Sequence, residues 1–278
     1  MKKLPWILLA LLIVGVSVFS FAKKSSKKKH CEKVCSKKST TLSTMTKNGI
    51  TLTELYSPES FDNASLKLVS QPKGDELDNN KMHLQVEVSN FKLGDQTNKS
   101  GIKSCANSAQ GQHIHCIIDN KPYVAEYNTD FTVDVESGFH TVLCFLSRSY
   151  HESVKNKNAY TIKNIITGKE RYTARYANRD LTQPLLFYSR PKGEYVGADA
   201  QSVLLDFYLV NCDLSENGFK VKAEINGTEF LITKWVPYFM EGLPMGDNTI
   251  KLTLLDKNNQ PVESAFSSAE RKFTLKAS

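Results

Sequence analysis

The stretch GQHIHCIIDNKPY at residues 111–123, set beside GFKVKAEINGTEF at residues 218–230, decides the fold of this chain. In the second stretch Val221, Ala223 and Ile225 alternate with Lys220, Lys222 and Glu224, and Asn226-Gly227 follows. Alternation of period two that runs into Asn-Gly is a half-buried strand entering a hairpin. The first stretch carries the same register, which turns Ile114, Cys116 and Ile118 toward a core and His113, His115 and Ile117 outward. The likeness continues on both sides. SLKLVSQPKGDEL at 65–77 answers PLLFYSRPKGEYV at 184–196, and MHLQVEVSNFKL at 82–93 answers SVLLDFYLVNCDL at 202–214. ESGFHTVLCFL at 136–146 answers PMGDNTIKLTLL at 244–255. The chain is therefore an internal repeat of short strands separated by Gly, Pro, Asn and Asp turns. The fold class is all-β, with two tandem immunoglobulin-like β-sandwiches expected at residues 61–170 and 183–277 after an N-terminal hydrophobic segment.

Two domains suit a length of 278 residues. The formal charge of +7 is local, because residues 23–38 hold eight lysines and one glutamate. The folded part is then close to neutral, which excludes a nucleic-acid groove, since that needs a basic face on the domain itself. Residues 4–22 form an apolar run preceded by Lys2 and Lys3, read as a signal peptide or a membrane anchor. Residues 23–60 read as a Lys/Ser-rich linker. The expected location is the cell envelope, on the periplasmic side of the inner membrane or secreted, with membrane contact through the N-terminal segment.

Comparing the copies separates what the fold needs from what the first copy adds. Where copy one has His113, His115 and His140, copy two has Lys220, Lys222 and Asn248. On the later strand Val142, Cys144 and Leu146 match the core-facing Ile250, Leu252 and Leu254, leaving Leu143 and Phe145 outward. Ile117, Leu143 and Phe145 then form an apolar patch beside two histidines. Such a patch marks an interface or a ligand groove, to be covered by the insertion at 94–112, by the other domain or by a ligand. The polar stretch after that strand adds Arg148, Tyr150 and His151 as candidate contacts for an anion or peptide.

Four of the six histidines fall within residues 113–151. His113 and His115 on one strand face suit two ligands of one metal ion, and His140 and His151 complete a candidate set for copper or zinc. His140 is in phase with the core-facing residues, so it reaches that set only from a strand end. Cys116 and Cys144 both face the core, as apolar fillers or as a disulfide in an oxidising compartment. Catalysis finds no support. Cys116 and His115 point to opposite faces of their strand, and no nucleophile elbow, phosphate loop or dinucleotide fingerprint is present.

A His-x-His strand with later histidines on a sandwich resembles copper,zinc superoxide dismutase ligation in outline. Gly111, His113, His115, Asp119, Gly138, His140 and Thr141 match the pattern of a histidine-rich bacterial domain of unknown function. Gln112 and Ile114 depart from that family's histidine run. The chain as a whole is similar to exported proteins of Bacteroidetes-type bacteria with tandem Ig-like domains, a resemblance that implies the fold and no activity. The function expected is non-catalytic binding of a protein, peptide or surface ligand through copy one's histidine and apolar face. The alternatives are a periplasmic copper or zinc domain, and a structural spacer whose greasy face is the inter-domain contact.

Overall fold

The computed structural model describes residues 42–70, 80–103, 105–168 and 179–278. The expectations for residues 1–22 and 23–41 lie outside them. In chain order the described residues form β1 (Thr44–Lys47), β2 (Ile50–Glu54), β3 (Ser65–Ser70), β4 (Lys81–Ser89) and β5 (His113–Ile118). Next come β6 (Val124–Glu126), β7 (Asp130–Asp134), β8 (Gly138–Ser147) and β9 (Tyr160–Thr167). The second half supplies β10 (Leu185–Arg190), β11 (Gly193–Val196), β12 (Val203–Val210) and β13 (Lys220–Ile225). It ends with β14 (Thr228–Ile232), β15 (Tyr238–Glu241), β16 (Gly246–Leu255) and β17 (Ser268–Lys276). No helix among the described residues is long and apolar enough to cross a membrane.

The protein is all-β, and its sheets pack as two sandwiches. Sheets β3-β4-β7 and β6-β5-β8-β9 enclose Leu66, Met82, Val86, Ile114, Cys116, Val142 and Leu146. Sheets β1-β2-β15-β12-β10 and β11-β17-β16-β13-β14 enclose Leu52, Leu205, Phe207, Val221, Ile225 and Leu252. The hairpin β1–β2 corrects the reading of 23–60 as a linker. β2 pairs antiparallel with β15, Leu52 opposite Met240, and so extends the second sandwich. The cause is local: Asn48 and Gly49 take positive φ, and Ile50 and Leu52 on one face enter the second core.

Both sandwiches belong to one compact unit, Thr41–Ser278. The outer face of the β5–β8 sheet lies on the outer face of β10 and β12. Ile117, Leu143 and Phe145 cluster there with Leu185, Phe187, Tyr208 and Val210. Phe145 stacks on Tyr208 with ring centroids 4.6 Å apart. The other side chains of the same two strands, Leu186, Tyr188, Leu205 and Phe207, enter the second core. Burial on both faces fits the run VLLDFYL at 203–209, apolar but for Asp206. Asn120 staples the contact, its Nδ2 donating to Leu186 O at 3.0 Å and its Oδ1 accepting from Tyr188 N at 2.8 Å.

This placement corrects the assignment of Ile117, Leu143 and Phe145 to a ligand-binding face. All three have 0% exposure. What removes the apolar patch from water is the second sandwich of the same chain.

Candidate metal centre

The 94–112 insertion ends where it folds back on itself, Gly94 N donating to Gln112 O and Gln112 N to Asp95 O. Gly111 is required at this closure. It has φ +83, and a Cβ there would stand 2.2 Å from the Gly94 carbonyl oxygen. β5 starts immediately after, and its alternation sends His113 and His115 into the contact between the sandwiches, both with 0% exposure.

His151 arrives from the other side. After β8 the chain turns back through residues 148–153, with Arg148 N donating to Glu152 O and His151 N to Arg148 O. His151 takes φ +69, a left-handed conformation uncommon for a residue with a side chain. The turn is held from three directions. Arg148 donates to the Glu59 carbonyl at 2.6 Å and lies 3.3 Å from the Glu152 carboxylate. Tyr150 OH donates to Ser57 Oγ at 3.3 Å. Ser153 donates through N and Oγ to the buried Asp206 carboxylate on β12, which also pairs with Lys155. Arg148 and Tyr150 are buried by these contacts. That corrects the expectation that they form an exposed anion or peptide site; they position the turn that carries His151.

Three imidazoles meet. His113 Nε2 lies 2.9 Å from His115 Nε2 and 3.1 Å from His151 Nδ1. Nitrogens of the three residues all lie within 4.8 Å of one another. Gly111 O only accepts, so His113 Nδ1, 2.8 Å away, carries the ring proton and Nε2 presents its lone pair. One N–H can donate to that lone pair, yet two nitrogens approach it. His151 Nδ1 also faces the Tyr123 hydroxyl at 3.3 Å, and His115 Nδ1 faces Ser189 Oγ at 3.3 Å. A cation at the centre would be met by all three lone pairs. The outer contacts to Gly111 O and Ser189 Oγ are those that fix a ligating histidine's tautomer and aim.

Burial keeps the rings neutral. It lowers His113 to about 4, His115 well below its ordinary value and His151 to about 2. Tyr123 stacks on His115 at 3.5 Å and 11°. Over the Tyr123 ring stand Lys192 Nζ at 3.7 Å and the Arg190 guanidinium at 5.4 Å.

His140 does not join the cluster. Both its nitrogens are engaged at the opposite end of β8, Nδ1 with Asp119 at 2.6 Å and Nε2 with the Glu136 carbonyl at 2.8 Å. Its assignment as a metal ligand is therefore corrected, and the phase that set it on the core side of the strand is the reason. Cys116 and Cys144 are direct partners across β5 and β8, but both are free thiols, so the disulfide expectation is corrected too. A hydrogen bond between them and burial push the Cys116 thiol well up.

Tyr123, Ser189, Arg190 and Lys192 were not legible as site residues. A signal existed for Arg190, which stands in SRPKG where copy one has Gln71 in SQPKG. Subtracting the copies in the reverse direction finds it.

No family model matches the chain, and no curated protein matches it in sequence. Solved structures with some likeness include fibronectin(III)-like modules of Clostridium thermocellum CbhA, at 12% identity over 34% of this chain and 99% of that one, TM-score 0.27. A second is a Bacteroides ovatus protein, SGBP-B of a mixed-linkage glucan utilization locus in complex with a heptasaccharide. It shows 11% identity over 76% of this chain and 47% of that one, TM-score 0.22. A third is domains 4 and 5 of the S-layer protein SbsC, at 11% identity over 79% and 100%, TM-score 0.19.

Proposed function

We propose that this protein is a non-catalytic metal-binding protein of the cell envelope, in which His113, His115 and His151 hold one copper or zinc ion between its sandwiches. The observation that carries this reading is the convergence of three neutral imidazoles on one point, two of them with proton acceptors or hydroxyls behind the ring. Neutral imidazole is the ligating form for both metals. The apolar run at 4–22 supports the location.

The test uses the full chain without a histidine tag, stripped of metal, offered copper or zinc, desalted and analysed for its elements. One equivalent of metal per chain is expected. A His113→Ala/His115→Ala variant should retain none. A His151→Asn variant should also lose it while staying folded, because asparagine tolerates positive φ. Folded wild-type protein that elutes free of both metals overturns the proposal.

A further inference from the structure

The charge around the three imidazoles narrows the metal beyond the choice of copper or zinc, and this step rests on the metal-centre reading above. Among the described residues, three nitrogen donors converge at this point, with no thiolate or carboxylate among them. Beside the rings stand two cationic side chains, Lys192 and Arg190, 3.7 and 5.4 Å from the centre of the Tyr123 ring that stacks on His115. Arg190 is held in place by its bond to Tyr195 OH at 2.9 Å, and Lys192 by its bond to the Tyr123 carbonyl at 2.7 Å. Burial lowers Lys192 to about 8, which leaves it mostly protonated at neutral pH.

A divalent ion here would add two positive charges to a buried site that already feels two. Nothing anionic among its ligands would offset them, and each unit of metal charge meets the same repulsion. Structural zinc sites answer this problem with four protein ligands, usually including thiolates, and zinc on three imidazoles takes a water as its fourth ligand. Copper(I) carries half the charge, has a filled d shell and is stable with three imidazoles in a plane. We infer that the His113, His115 and His151 centre is selective for copper(I) over zinc(II).

The test is an anaerobic competition on the full, untagged chain. Copper(I) is supplied as its bicinchoninate complex and zinc(II) against a chromophoric chelator. The chain should draw one equivalent of copper(I) from the chelator and give no copper(II) resonance. It should bind zinc at least ~10-fold more weakly, since a second unit of charge doubles the local repulsion. Replacing Lys192 by glutamine (Lys192→Gln) removes one cation without touching a ligand, and should raise zinc affinity more than copper(I) affinity. Zinc held as tightly as copper(I), or a Lys192→Gln variant in which both metals gain equally, overturns the selectivity and leaves the metal centre standing. Failure to hold either metal overturns both.

Discussion

His113, His115 and His151 are neutral because they are buried, and that has a cost in acid. The folded His113 titrates near 4, whereas an unfolded histidine titrates near 6.5. Between those values the unfolded chain binds more protons than the folded one, so stability rises with pH across the window. The contribution is complete above about pH 6.5 and is lost as pH falls toward 4, amounting to roughly 3 kcal/mol for His113 alone. Denaturant titrations of the metal-free chain at pH 7 and pH 4.5 should show this loss. A His113→Ala/His151→Asn variant should show a flatter profile, and equal slopes for the two proteins would contradict the assignment. Bound metal should resist the loss down to the pH at which protons compete for the nitrogens.

Among elements, β5 and β8 show what alternation reveals and what it leaves out. Their facings were legible, because a one-residue slip would have put Ile114 and Cys116 in the place of His113 and His115. What covers the outward face was not legible. Leu185, Phe187 and Tyr208 lie 40 residues or more further along the chain, and their strands look like any strand buried on both sides. The same holds for the site: two of its histidines share a strand and announce themselves, while Ser189, Arg190 and Lys192 come from the other sandwich. The hairpin at 44–54 has its sequence signal in Asn48-Gly49, which the lysine-rich composition before it masks. The contact between sandwiches makes a quantitative prediction. Phe145→Ala should cost about 3–5 kcal/mol, as for a core phenylalanine. Leu231→Ala, on the exposed outer face of β14, should stay within about 0.5 kcal/mol. A Phe145→Ala cost as small as that of Leu231→Ala would mean the sandwiches do not dock in solution.

At the scale of the molecule the two copies are not independent beads. Histidines of the first sandwich are backed by Ser189 of the second, so a metal ion held as proposed would link its affinity to docking of the sandwiches, each strengthening the other. The chain path binds them further. β2 finds its partner β15 only after the whole first sandwich has been traversed, a long-range pairing of the kind that slows folding. The first sandwich is spliced into a loop of the second, between β2 and β10. This dictates how the molecule bears tension. A pull applied at Thr44 and at Lys276 enters and leaves through the second sandwich, at β1–β2 on one sheet and β17 on the other. The first sandwich, with the three histidines, hangs beside that line of force rather than in it. In a single-molecule stretching experiment between those ends the second sandwich should yield first, and the histidine-bearing copy should remain slack until its neighbour has opened.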